Sequence, residues 1–539
     1  MACRCAQTSS YLGGCRLLRT IAGVADGLQK TSNRRGVTNF LRWPRTSKKR
    51  LEMKKILVMG GTGAMGKYLV PMLADDSSYQ VFVTSRSARQ SNFGNLIYLK
   101  GNAKDLPWIK TIFETFDFDV VFDFMMYGGG EFQERSQLFL ENCRHYFYFS
   151  TYRALGEDTV LTENSPVKPD ALLQHPEYEL DRYGIRKAQE EKVLHESGKN
   201  NYTIIRPSMT FSSNRFQYFS GDNFDVIRAA KRVPTLLPES AVNSITNLTY
   251  GKNVAKMLKA LVDKPAAMGQ TFHAVTKSMT WGEIGEAFKK VFGMTYQVVP
   301  DSQYLELIDL EDGRIFDRLR RRNISNKKIL STTGLSDADF GTLEDNLREA
   351  WAESDQDRYR TSRASAGAHA RFDYITKSQI NLGSLDDKSK REYYLSKQSL
   401  SDRIKLGDFW IRPNPSYWEI SPSSSSGGGA LIRRNEKAAV SNAWLNFRNL
   451  DYLLSLKKGD TYQISINIIS DRTAEINPFI HFFGRSILRL NRVYISSGYN
   501  KIDISFKAVN PLYSDFSITA TEIDYGSIFE ISRLSLYRF

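Results

Sequence analysis

Apolar and polar positions follow two different rhythms along this chain. From Lys54 to about Ala350, short runs of β-branched and aromatic residues alternate with stretches whose apolar residues stand three and four apart. Beyond Asp408 apolar and polar residues alternate singly. The first rhythm is that of buried parallel strands joined by amphipathic helices, the second that of antiparallel strands with one covered face.

In the first region, Ile56, Leu57 and Val58 open a strand, and a helical pattern follows through Tyr68, Leu69, Met72 and Leu73. Further strands are expected over 79–87, 95–105, 119–128, 145–151 and 201–208, with helices over 107–117, 132–143 and 176–197. Repeated strand–helix units predict an α/β fold, a doubly wound parallel sheet with helices on both faces. Past Phe211 the pattern loosens into short strands such as 270–275 and helices such as 281–293, read as a small lobe built onto the sheet. Residues 353–370 are polar and aperiodic, and the stretch to 407 is highly charged, so 353–407 reads as a linker and connector. The period-two stretches 462–469, 501–509, 515–523 and 527–539 predict an all-β sandwich or jelly roll over 408–539. The expected domains are thus 1–52, 53–352, 353–407 and 408–539.

Charge and cysteine use sharpen this picture at the N-terminus. Residues 1–52 carry eleven basic and two acidic side chains, a net +9 of the chain's +15, leaving +6 for the other 487 residues. The body therefore lacks the basic stripe expected of a nucleic-acid partner. The segment has no continuous apolar core. It is read either as a transit peptide, placing the protein in an organelle, or, preferably, as an extension upstream of Met53, with a cytoplasmic protein. Three of the four cysteines lie in it, and Cys143 alone in the body suits a reducing compartment. No apolar run reaches the length of a membrane span. Six scattered histidines form no metal-ligand pattern.

Chemistry concentrates in three places. The first strand runs into Gly60, Gly61, Thr62, Gly63, Ala64, Met65 and Gly66 and then into a helix, the context of a phosphate-cradling loop. Gly60 permits the turn, Gly63 the approach of a pyrophosphate, and Gly66 the packing of helix on strand. Tyr183 and Lys187 stand four apart on one helix face, where an ammonium beside a phenol lowers its pKa for proton transfer. Ser150 and Thr151 end the fifth strand at the sheet edge where ligands of such folds bind. Each feature alone has an ordinary structural explanation: a turn, a solvated helix, a strand end.

Taken jointly, GGTGAMG, FST at 149–151, YGIRK at 183–187 and IIRPS at 204–208 resemble extended short-chain dehydrogenases/reductases, the NAD-dependent epimerase/dehydratase family. LTENSPVKP (161–169), TYGKNVAKML (249–258) and GQTFHAV (269–275) agree, and the likeness spans about 53–350. The resemblance implies a Rossmann-type sheet, bound NAD(P), a nucleotide-sugar substrate and a homodimer. It makes Tyr183 the catalytic acid/base, Lys187 its activator and ribose ligand, and Thr151 the partner hydroxyl, with Ser150 as fallback. Gly60, Thr62, Gly63, Ala64, Met65 and Gly66 would hold the pyrophosphate, Asn102 would lie near the adenine, and Pro207 and Ser208 beside the nicotinamide. No acid follows the second strand, and Arg86 there is either a 2′-phosphate ligand, favouring NADP, or a solvated loop residue. Arg153-Ala154-Leu155-Gly156 replaces the usual tyrosine–glycine, and Asn253 a common aspartate. Without an Asp-Glu pair after Thr151, 4-epimerisation or ketone reduction is expected over 4,6-dehydration. The C-terminal region loosely resembles galactose-binding-like, carbohydrate-binding sandwiches, in which Trp410, Tyr417, Trp418 and Trp444 are either core or sugar-stacking. The alternatives are a non-catalytic Rossmann-fold protein that binds RNA or senses redox state, and an assembly protein whose sandwich binds glycan.

Overall fold

The computed structural model describes residues 53–128, 130–171, 181–301, 303–304, 317–361 and 366–381, and further on mainly strands. The expected tail over 1–52 lies outside the described residues, as do Tyr417 and the side chains of Trp410, Trp418 and Trp444.

Seven strands form the central sheet: β1 (Lys54–Met59), β2 (Tyr79–Ser85), β3 (Leu96–Lys100), β4 (Phe118–Asp123), β5 (Cys143–Phe149), β6 (Tyr202–Pro207) and β7 (Gln270–Ala274). All neighbouring strands run parallel in the order β7-β6-β5-β4-β1-β2-β3, a Rossmann fold. The chain winds outward from β1 through β2 to β3, then returns to β4 on the other side. The carboxyl ends of β1 and β4 therefore flank the switch point at which such sheets take ligands.

Alternate residues of each strand face opposite sides, and both sides are buried. Ile56, Val58, Val81, Val83, Phe122 and Phe147 join one core with Leu69 and Leu73 of α1 (Gly66–Ala74). Leu57, Met59, Phe82, Val121, Tyr146 and Tyr148 join the other, under α2 (Leu106–Thr115) and α3 (Glu131–Asn142). This double burial is why the strands read as continuous apolar runs. Helix starts follow local chemistry: Asp105 accepts the Trp108 amide at the start of α2, with Pro107 in its first turn. β4 stops at Asp123, short of the expected 128, because the Asp123 carboxylate accepts the Met125 amide and turns the chain.

The strand order is completed by α4 (Arg182–His195) between β5 and β6 and by α5 (Phe224–Ala230) and α6 (Gly251–Leu261) in the small lobe. Past β7 come α7 (Trp281–Phe292) and α8 (Leu343–Ala352). Where composition predicts a linker, the structure instead has α9 (Gln356–Thr361) and α10 (Ala366–Thr376). Several of their polar groups are paired inside the protein. Asp373 pairs with Arg228 of α5 at 2.8 Å with both side chains fully buried, and His369 stacks on Phe224 at 4.5 Å. Tyr393 donates to the same carboxylate at 2.6 Å.

The C-terminal strands form two antiparallel sheets. In one, Thr461–Ser470 pairs with both Gly498–Lys507 and Ile528–Arg538, and its alternate residues Tyr462, Ile464, Ile466 and Ile468 are buried, as the period-two pattern requires. The other includes Trp444–Arg448, Ala474–Phe482 and Tyr513–Ala520.

Candidate active site

The glycine loop fills the gap between β1 and α1. Gly60 has φ +73°, a conformation that favours glycine, and its amide donates to Thr84 Oγ1 at 3.1 Å. The Gly63 amide donates back to the Gly60 carbonyl at 3.0 Å, closing the turn. Gly66 begins α1 hard against the loop: a Cβ there would stand 2.5 Å from Gly61 Cα. Gly63 is different. A Cβ on it would meet only the Gly60 carbonyl oxygen, at 3.4 Å, and Thr62 and Gly63 are exposed. The amides of Ala64 and Met65 find no acceptor among the described residues, and α1 has neither a side-chain cap nor an acid in its first turn. Free amides at an uncapped helix start, beside exposed backbone bearing no side chain, suit a dinucleotide pyrophosphate. Thr62, Gly63, Ala64 and Met65 are the residues that would hold it.

Along the same sheet edge, Arg86 follows β2 exposed, with no acid next to it in the sequence. Asn102 follows β3, also exposed, with its side-chain carbonyl accepting the Lys104 amide at 3.1 Å. Pro207 ends β6, and Ser208 turns inward, donating to Asn247 Oδ1 at 2.5 Å. Between these ends lies a buried acid. Asp123 accepts hydrogen bonds from Tyr127 (3.0 Å) and Tyr146 (2.9 Å), and full burial pushes its carboxyl up to about 6.

Three elements converge beyond β5. Thr151 is buried and its Oγ1 accepts the Arg153 amide at 3.2 Å, capping the short turn Tyr152–Ala154. Asp181 caps α4 through the Gly184 amide at 2.9 Å and holds Arg153 in a two-point ion pair at 3.0 and 2.6 Å. Gly184 makes this possible, since a Cβ would stand 2.3 Å from the Arg153 carbonyl. Tyr183 sits in that first turn, half-buried, and its hydroxyl has no hydrogen-bond partner among the described residues. The guanidinium groups of Arg153 and Arg186 flank its ring at 5.3 and 5.7 Å from the centroid. Burial pushes the phenol upward, and Arg153 is the strongest group pulling it back.

Lys187 is one turn further on, as the spacing predicts, but its ammonium is engaged elsewhere. It donates to the Tyr148 hydroxyl at 3.1 Å and the Phe149 carbonyl at 3.0 Å, and pairs with Glu190 at 2.9 Å. None of these partners is Tyr183. Three acceptors occupy its three N–H groups, which leaves none for the ribose assigned to it by resemblance. Ser150, the fallback hydroxyl, is committed to Glu191, whose carboxylate pairs with Arg206 at 2.9 and 2.6 Å. Asn253 likewise has a structural duty, donating to the Phe340 carbonyl at 2.9 Å.

Sequence reasoning missed Arg153, Asp181, Tyr148 and Glu190. Glu190 stands three residues after Lys187 on the same helix face, a pairing signal that was available. Tyr148 alternates with Tyr146 on an apolar strand and carries no sequence mark of polar use. Among the described residues no group of metal-ligating side chains occurs, and no helix is long and apolar enough to cross a membrane.

Residues 56–274 match the model of the NAD dependent epimerase/dehydratase family. Among curated proteins, the chloroplast stem-loop binding protein of 41 kDa b, chloroplastic, of Arabidopsis thaliana is 24% identical over 257 residues, covering 44% of this chain. The match spans 64% of that protein's length, just under two thirds. Solved structures of similar fold include dTDP-glucose 4,6-dehydratase from Bacillus anthracis, 16% identical, covering 56% of this chain and 98% of that one with a TM-score of 0.43. UDP-glucuronic acid 4-epimerase from Bacillus cereus is 16% identical, covering 55% and 98% with a TM-score of 0.42. Pal from Bacillus thuringiensis is 18% identical, covering 56% and 99% with a TM-score of 0.41.

Proposed function

We propose that residues 53–352 form an NAD(P)-dependent enzyme that epimerises or reduces a nucleotide-linked sugar at a ring carbon, with Tyr183 handling the substrate proton. The observation that carries this reading is the Tyr183 hydroxyl. It is half-buried and free of protein partners among the described residues, in the first turn of α4, and its ring lies under Arg153 of the turn that Thr151 caps. A bound nicotinamide would supply hydride exchange with the reacting carbon. Tyr183 would take the proton of the hydroxyl at that carbon and return it. Thr151 spends an acceptor site on the Arg153 amide and keeps its O–H to donate to the same substrate oxygen. Lys187, bound to Tyr148, Phe149 and Glu190, would tie α4 to the end of β5 and so hold Tyr183 in register. Arg86, without a competing acid, supports NADP over NAD. The C-terminal sheets would act as an accessory glycan-binding sandwich.

Titration calorimetry with NAD⁺, NADH, NADP⁺ and NADPH, followed by NMR of a nucleotide-sugar panel, tests this. The wild type is expected to bind a dinucleotide. Tyr183→Phe should retain that binding while losing roughly 10²–10⁴-fold in turnover, the usual worth of a positioned acid/base. A wild type that binds no dinucleotide overturns the enzyme reading. A second reading, nucleic-acid binding on the same fold, rests on the name of the Arabidopsis relative. Saturable, salt-sensitive retention of a stem-loop RNA with no dinucleotide binding would favour it.

A further inference from the structure

We propose that Asp317 is a positioning residue for the proposed reaction: its carboxylate braces the turn that carries Thr151 against the helix start that carries Tyr183. This rests on the reading of those two hydroxyls as the groups that meet the substrate, and concerns what fixes them relative to each other. Asp317 comes from a segment 165 positions beyond Tyr152 and is 1% exposed, as are Arg322 and Lys168 beside it. Its Oδ2 accepts the Tyr152 hydroxyl at 2.5 Å. Its Oδ1 accepts Arg322 through Nε at 3.1 Å and Nη2 at 2.6 Å, and the Lys168 ammonium stands 3.5 Å away.

Two arms leave this carboxylate. One runs through Tyr152, the residue next to Thr151 in the turn that Thr151 caps. The other runs through Lys168, which donates to Asp181 at 2.5 Å, and Asp181 caps α4 by accepting the Gly184 amide at 2.9 Å. Arg153 joins the same turn to Asp181 directly. One contact fixes a separation, and a second through other side chains fixes orientation as well. Arg322 adds a third point by donating to the Gly156 carbonyl at 2.7 Å, just beyond the turn. The segment that bears Asp317 is itself anchored in the small lobe. Arg318 donates to the Phe219 carbonyl at 2.7 Å, the Trp281 indole to the Arg318 carbonyl at 3.1 Å, and the Arg322 amide to the Ile245 carbonyl at 2.6 Å. Lobe, turn and helix start therefore share one ionic joint. Burial by itself would raise the Asp317 pKa, but Arg322, Lys168 and Arg153 hold it well below the ordinary carboxylate value, so the joint stays charged. Apolar side chains would fill the same space at less desolvation cost, yet without direction. Charge-assisted hydrogen bonds set lengths and angles, which two hydroxyls meeting one substrate oxygen require.

The test is amide hydrogen–deuterium exchange of the full chain, read by mass spectrometry, in Asp317→Asn, which keeps the side chain's shape and removes its charge. Residues 151–156 and 182–187 should exchange about tenfold faster than in wild type, while residues 56–66 keep the wild-type rate. Asp373→Asn, the same change in the buried pair with Arg228, should leave residues 182–187 at the wild-type rate. With a nucleotide sugar that turns over, Asp317→Asn should lose roughly 10- to 100-fold in kcat at nearly unchanged KM, the effect of misplaced rather than missing groups. Its affinity for NADPH should stay within about twofold, because the glycine loop lies outside the joint. If Asp317→Asn does not fold, Tyr152→Phe, which takes one hydroxyl from the joint, is measured in its place with the same pattern expected. Unchanged exchange at 182–187 overturns the proposal, as does a wild-type kcat. Exchange raised equally along the whole chain, or raised at 182–187 by Asp373→Asn as well, also overturns it, since the pair would then serve overall stability alone. The exchange measurement needs neither cofactor nor substrate. Failure of the enzyme reading appears in dinucleotide binding, failure of this inference in the exchange pattern.

Discussion

Two glycines of one loop should respond to the same substitution in opposite ways. In Gly66→Ala the new methyl would lie 2.5 Å from Gly61 Cα and 2.6 Å from the Gly61 carbonyl oxygen, about 1 Å inside ordinary contact and against backbone on both counts. Gly61 cannot yield, because its own Cβ position is already 2.9 Å from Val70 and Val83 side chains. Overpacking of this kind costs about 1–3 kcal/mol, and the better helix propensity of alanine returns up to about 1 at this first helical position. A net loss of roughly 2 kcal/mol lowers the melting temperature of a domain this size by about 4–8 °C. In Gly63→Ala the methyl meets one oxygen at 3.4 Å, and the backbone needs no left-handed conformation, so stability should hold within about 0.5 kcal/mol. That methyl would, however, stand where the pyrophosphate approaches the free amides. Loss of one charge-assisted hydrogen bond costs about 1.5–3 kcal/mol, or roughly 10- to 150-fold in dinucleotide affinity. Thermal melts and calorimetry of both variants read the two effects separately. Wild-type affinity in a well-folded Gly63→Ala would refute the cradle, and a wild-type melt of Gly66→Ala would refute the packing account.

Further outcomes follow from buried charges. Glu191→Gln leaves Arg206 buried without its carboxylate and frees Ser150, so unfolding by urea should show a loss of about 3–5 kcal/mol, whereas a loss below 1 would mean the pair is not buried as described. Arg228→Met should loosen α10, making the 356–393 region sensitive to limited proteolysis at protease concentrations the wild type survives; an unchanged digestion pattern would contradict the docking. Asp123 holds its proton to about pH 6 when folded and releases it near 3.8 when unfolded. Its contribution to stability is therefore complete below about 3.8 and lost as the pH rises through about 6, a change of about 3 kcal/mol. Asp123→Asn should thus gain stability over wild type at pH 7.5 and lose that advantage at pH 4. Because His145, His273 and His369 are held neutral by burial and destabilise the fold on acidification, the quantity to measure is the difference between variant and wild type at each pH.

The sheet, the glycine loop and the helix bearing Tyr183 and Lys187 were legible in the chain because each is written locally. A strand buried on both faces must be apolar throughout, a helix on a sheet repeats every three to four residues, and a backbone turned as at Gly60 favours glycine. Strand ends were read less well. Asp123 and Thr151 look like strand residues, yet their side chains bind nearby amides and stop β4 and turn the chain after β5.

What local pattern could not decide was which polar groups would meet. Residues 353–370 have the composition of a linker, yet just beyond them Asp373 finds Arg228, 145 positions earlier, and the polar stretch becomes helix packed on the small lobe. Four residues between Tyr183 and Lys187 put both on one side of α4. Only the arrival of Tyr148 and Glu190 decided that the ammonium would be occupied by them, and only the fold of the turn after β5 brought Arg153 over the Tyr183 ring. Periodicity and turn chemistry act between neighbours in the chain and so belong to the sequence. The pairing of buried charges acts across space, and tertiary structure alone determines it.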